Sequence, residues 1–506
     1  MIPGSMHAGV LVGLLVLGAP AFAHDDSPPL EEVTGDLGHI DFPNSGARAA
    51  QPAFLRGVLL LHSFEFDAAR KAFQDAEKAD PAFALAYWGE ALSYNMPIWG
   101  EQDLDAARAA LAKLAPTAVQ RRARAPDPRE RDYLASAEQL YGEGDKLQRD
   151  ARYSVALGEM ARKYPNDLDA RAFYALSLMA LTGTTRNTAN YMRAAAEAEA
   201  VYALDNRHPG ALHYLIHAYD DPVHAPLGLR AARQYGQVAR GASHAQHMPS
   251  HIFFALGLWD EAIAANVASL KTARDAGHGG YHPLVWLAYA YLQEGRRDDA
   301  LPLIGLVAAD VARSPGESNR ASLAYARAIW LVETGGADAP GAWDSVASEG
   351  IVSILEFAAN DFARGIVAAG QGHLEEARAA HQQLQQRVAA ARGVNTGVTA
   401  NRYATVTSEE IAHGQTFVVA LQGVITFASG EREAGVRQVQ EAIAREEQME
   451  FEYGPPWSVK PLDELLGEML LTLGRRDEAA VAFENSLRAH PNRRLSAEGL
   501  SASRSR

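Results

Sequence analysis

The 506-residue chain contains no cysteine. That absence excludes disulfides, thiolate metal sites and cysteine nucleophiles together, so any metal has to be held by His, Asp or Glu. Basic charge is also scarce: 47 Lys and Arg stand against 62 Asp and Glu, a formal net charge of −15. Sequence-independent binding of nucleic acid needs cationic surface to displace counterions, so no nucleic-acid partner is expected. The one basic run, Arg121–Arg131, is broken by prolines and diluted by acids, and reads as a solvated loop. No glycine-rich phosphate loop, H-E-x-x-H or G-x-S-x-G occurs. The common nucleotide, zincin and serine-hydrolase readings fall with them.

Long apolar runs are few. Ala8–Leu17 is followed by Gly18, Ala19, Pro20 and the small-x-small triplet Ala21-Phe22-Ala23, so residues 1–23 read as a secretory signal peptide. Met1–His7 lacks the usual Lys or Arg, and the run is too short for a membrane span. No other stretch reads as long and apolar enough for a membrane helix, and a periplasmic or secreted location is expected.

What the chain does have is periodicity. Gly57, Ala69, Phe73, Ala76 and Pro81 recur in kind as Gly467, Ala479, Phe483 and Pro491. Each set has a small residue, a second one twelve later, an aromatic four beyond and a proline eight after that. The twelve-residue interval returns at Gly365/Ala377, Gly423/Gly435 and Ala288/Ala300, and more loosely at Ser250/Ala262. Small residues let two helices approach, the aromatic fills the gap to the next hairpin, and proline ends the second helix. This pattern resembles the tetratricopeptide (TPR) family of helix–turn–helix repeats. The resemblance implies an all-α fold, a right-handed α-solenoid of TPR-like helical hairpins, and a protein or peptide partner in its concave groove. It carries no catalytic residues.

The expected organisation is a signal peptide at 1–23, an extended leader at 24–49, an N-terminal array with His-rich units at 50–315, a C-terminal array at 316–495 and a disordered tail at 496–506, with fraying expected from Asn492 onward. Ala115–Arg131, Ser314–Asn319 and the polar stretch 393–403 read as loops.

Nine of the seventeen histidines fall between His208 and His282. His213 and His217 are four apart, and His244, His247 and His251 follow at three and four, intervals that share one helix face. In the TPR pattern, groove-facing positions lie about six before, three before and one after the small packing residue. Taking Ser250, Ile216 and Ala288 as those residues points His244, His247 and His251, then His213 and His217, then His282 into one groove. Imidazoles without thiolates suit zinc, copper or iron. The plainer alternative is polar groove residues, or histidines bonded to carbonyls. Pro249 either starts the helix near His247 or kinks it, which would leave His244 in a loop.

His224 and His278 are further candidates, while Asp220 and Asp221 read as ligands, as partners orienting an imidazole, or as an acidic pair at a helix end. Glu410-x-x-His413 has di-iron spacing but only one copy. His24 would become a copper-chelating N-terminus after cleavage, and His62 reads as a packed turn residue. Tyr87, Trp88, Tyr94 and Trp99, with Asn95 and Met96, read as core, with Trp99 able to line a ligand pocket. Two functions follow: a groove-binding scaffold, or a metal-dependent protein, in one form an oxidoreductase. The scaffold predicts a long open groove and no metal.

Overall fold

The computed structural model describes residues 37–182, 186–275, 281–337, 346–347, 354–394, 406–449, 454–456 and 458–505. The signal-peptide reading, His24, His278 and most of the 393–403 loop lie outside them. The described chain is all-α apart from a two-stranded antiparallel turn, Asn95–Met96 with Glu101–Gln102, that brackets Pro97–Trp99.

The packing residues predicted from the interval do what the interval requires. Gln51–His62 pairs with Phe66–Ala79, and a Cβ on Gly57 would lie 2.7 Å from the Phe73 ring. Gly89 on the following helix receives the other side of that ring, at 2.3 Å. At the far end Leu462–Thr472 pairs with Arg476–Ala489, and Gly467 and Gly499 sandwich Phe483 in the same way. An aromatic fully buried between two hairpins is the stitch of the array; side-chain burial of this kind contributes about 1.5–3 kcal/mol each. Between these ends, successive hairpins include Pro209–Ala218 with Ala225–Val238, Tyr281–Gln293 with Arg297–Arg313, and Leu355–Gly370 with Leu374–Val394.

Three expectations are corrected. Ala118–Arg124 is a helix inside the supposed loop, capped by Thr117, with Arg121 buried on Glu138. The C-terminal residues do not fray: Arg494–Arg504 is a helix packed on Arg476–Ala489. Burial of Arg493 explains it, since its guanidinium meets Glu464 at 2.7 Å and Glu333 at 2.6 Å, and donates to the Tyr289 hydroxyl. Third, Ser408–Ala428 is long and apolar enough by composition to cross a membrane. It is packed between Leu355–Gly370, Leu374–Val394 and Arg432–Glu446, as a core helix.

The array also folds back on itself. Gly257, in the left-handed region at φ 63°, lies so close to Pro491 that a Cβ would meet its carbonyl oxygen at 1.9 Å. Trp259 donates to the Asn492 carbonyl and Asn492 to that of Gly257. On the other side, residues 37–49 run without regular structure, with Leu37, Ile40 and Phe42 buried, and Gly38 lies against Val238. The turn after Gln51–His62 reaches the histidine helices. The middle of the chain is therefore covered by its own ends.

Candidate metal centre

Three hairpins supply the histidines. Pro209 opens Pro209–Ala218 and His208 caps it, its Nδ1 accepting from the Ala211 amide at 3.2 Å. That helix carries His213 and His217. Pro249 sits at the first position of Pro249–Ala255, where no N–H is needed, directly after Ser243–His247. Met248 between them keeps helical torsions, φ −51° and ψ −38°. The chain is bent without losing register. His244 is therefore helical, not a loop residue, and stays grouped with the others.

The ligand atoms fall into two groups: His213, His217 and His244, then His247, His251 and His282, each within 4.8 Å of one another. His213 and His247 are nearly inaccessible, His244 is half-buried and His282 is exposed, so each group has one member toward solvent.

Proton bookkeeping fixes which nitrogens face inward. His213 Nδ1 lies 2.6 Å from the carbonyl of His62, which can only accept, so Nδ1 carries the hydrogen and Nε2 is bare. The Asn266 amide is oriented by donating to the Ala262 carbonyl, so its oxygen faces His247 Nδ1 at 2.7 Å and assigns that hydrogen likewise. His251 Nδ1 donates to Asp220 at 2.5 Å. His247 Nε2 and His251 Nε2 stand 3.2 Å apart. His213 Nε2 and His244 Nε2 are also 3.2 Å apart, and His217 Nε2 is buried without a hydrogen-bond partner. Two nitrogens on a tetrahedral ion with bonds of 2.0–2.1 Å are about 3.3 Å apart.

The electrostatics favour neutral rings. Burial, then the neighbouring His217, pushes His213 well below the usual imidazole range. Burial followed by His251 does so for His217, and burial followed by His282 and His251 for His247. Neutral imidazole is the form that ligates.

Aromatic walls enclose the groups. Phe64, a non-glycine residue at φ 57°, puts its ring 4.3 Å from His213 and stacks on His217 and His244. Trp99 stands edge-on to His244 at 6.1 Å. Trp286 lies 4.5 Å from His251 and 5.0 Å from both His247 and His282. Phe64, Trp286 and Asn266 carried no sequence signal, because their positions depend on chain segments far away. Asp220 was weighed as an orienting partner, and that is its place here, rather than in an acidic pair at a helix end.

A third grouping, His62, Asp169 and His208, is of another kind. Tyr214 donates to His62 Nδ1, so His62 Nε2–H points at Asp169, 2.9 Å away. His208 Nδ1 is an acceptor, which places its hydrogen on Nε2, 3.4 Å from the same carboxylate. Burial would push Asp169 up, but hydrogen bonds from His208 and His62 outweigh it and hold it well below the usual carboxylate range. These are donors around an anion, with no lone pair left for an ion. His62 is thus more than packing: its carbonyl orients His213, and Gly210 makes room for its ring.

Two candidates are not brought to the site. His224 donates to Asp221, which also pairs with Arg186, and belongs to neither group. Glu410 caps its helix by accepting from the Thr407 amide, so its spacing to His413 reflects a capping box.

No family model matches the chain, and no curated protein does. Among solved structures, the APC/C hetero-tetramer Cut9–Hcn1 aligns at 12% identity and TM-score 0.35, covering 92% of this chain and 78% of that one. Yeast Tom70 aligns at 11% identity and TM-score 0.31, covering 88% and 86%, and the Naa15/Naa10 complex bound to HypK-THB at 12% and 0.25, covering 90% and 60%. Similarity this low carries no argument about what the chain binds or does.

Proposed function

We propose that this protein binds a transition metal of the zinc, copper or iron class through His213, His217, His244, His247, His251 and His282, held in a helical-hairpin scaffold. The observation that carries this reading is the convergence of six imidazoles in two sets of three, the ligand atoms of each set within 4.8 Å of one another, with the hydrogens of His213 and His247 held on Nδ1 so that Nε2 is the donor atom. His217 Nε2, buried without a hydrogen-bond partner, costs about 1–3 kcal/mol unless an ion meets it. The orienting partners, a backbone carbonyl, an amide and a carboxylate, are those that metal-bound imidazoles use.

An exported location belongs to the same proposal, resting on the leader-like residues 1–23, and the lack of cysteine is compatible with it. A protein or peptide partner on the hairpin surface is a compatible second role, supported by the fold class. Phe64, Trp99 and Trp286 pack against the histidines, which leaves such a partner the other surfaces of the hairpins.

Elemental analysis of protein purified without added ions tests the reading, alongside the His217→Ala/His251→Ala double variant. Stoichiometric metal in the first and its loss in the second are expected. Metal in neither, with none taken up on dialysis against the three ions, would sink it.

A further inference from the structure

The six imidazoles offer more donors than one ion takes from a protein site of this kind. Nitrogens bound to a single tetrahedral ion lie within about 3.5 Å of one another. The ligand atoms here separate into two groups of three, and neither group includes a nitrogen of the other. Each contains its own pair at 3.2 Å, His213 with His244 and His247 with His251. The groups are nonetheless neighbours: the His217 and His251 rings are 5.9 Å apart and those of His244 and His247 6.5 Å. Within the groups, ring separations run from 4.7 Å to 6.3 Å, so the two sets form one continuous patch of imidazoles.

Charge then selects the ion. Among the described residues no carboxylate oxygen joins either group; Asp220 is committed to His251 Nδ1, and Glu65 accepts from the His244 amide. Two adjacent dications would repel four times as strongly as two monocations at the same separation, and neither group has a carboxylate among its ligand atoms. Imidazole ligates copper as well as zinc, iron and nickel, and of these copper has a ready monovalent state.

We propose that the two triads hold a pair of cuprous ions, one on His213, His217 and His244, the other on His247, His251 and His282. This rests on the metal reading above and goes beyond it in number, charge and identity of the ions. The two more accessible ligands, His244 and His282, flank the approach from solvent, so each ion can be removed singly by replacing a residue that contributes little to the core.

The test is an anaerobic titration with cuprous ion against a chromophoric cuprous chelator, using the full chain. Wild type is expected to take two equivalents, and His244→Ala and His282→Ala one each, with unchanged far-UV circular dichroism. One equivalent in the wild type would overturn the pair while leaving the metal reading intact; none of any metal would end both. Loss of all copper from either single variant would show one shared site and overturn the assignment of one ion per triad. Uptake of two zinc ions with cuprous ion refused would overturn the choice of copper.

Discussion

His251 gives its Nδ1 hydrogen to Asp220 at 2.5 Å, and that contact is what turns its Nε2 toward His247. Asp220 follows the helix that carries His217, so the first histidine hairpin aims an imidazole of the second. Replacing Asp220 with Asn keeps an acceptor and removes the charge. Metal affinity in chelator competition is expected to fall about 10-fold, and about 100-fold for Asp220→Ala, with the fold retained. Unchanged affinity in both would show that Asp220 orients nothing.

Phe64 combines strain with burial. Its left-handed backbone costs about 1–2 kcal/mol relative to glycine, while truncating a buried phenylalanine costs about 3–5 kcal/mol. The Phe64→Gly variant is therefore expected to be less stable by about 2 kcal/mol, because the lost ring outweighs the relieved strain. Urea denaturation of the metal-free protein measures this. A variant more stable than wild type would mean that the ring packs less well than its contacts with His213, His217 and His244 indicate.

Arg493 anchors the C-terminal helix between two acids that are themselves inaccessible. Removing it leaves Glu333 and Glu464 without their guanidinium, so Arg493→Ala is expected to cost about 3–5 kcal/mol. Limited proteolysis should then cleave near residue 493 in the variant and not in the wild type. Equal cleavage of the two would contradict the docking of this segment.

His413 provides a pH dependence outside the clustered histidines. Burial pushes it down to about 4 from an ordinary value of 6.5. Above pH 6.5 the ring is neutral whether folded or not, so it adds no slope. Between 6.5 and about 4 the unfolded chain takes up the proton first, and stability falls by up to about 3 kcal/mol. Thermal melts of wild type and His413→Leu across this range should show a shallower acid loss in the variant. Parallel curves would remove His413 from the acid response.

Much of the fold could be read from residue order because its rules are local. Gly57 and Phe73 are set sixteen positions apart by helix geometry, and the same interval places Gly467 against Phe483. The histidine pairs were legible for the same reason: His213/His217 and His247/His251 are one helical turn apart. Pro249 was legible only as a question, since a proline alone does not say whether a helix starts or bends. The tail was misread because Arg493 and its neighbours look solvated until Glu333 and Glu464 are brought to them from 160 and 29 residues away.

Residue order by itself determined the helices, their pairing into hairpins and the faces on which imidazoles line up, since each follows from spacings of a few residues. Tertiary structure alone decided which nitrogens face inward. That choice depends on where His62, Asp220 and Asn266 put their oxygens, and on Phe64 and Trp286 excluding water around the rings. The direction of a ring hydrogen is fixed by whichever acceptor the fold sets beside it, and nothing in the local sequence specifies that acceptor.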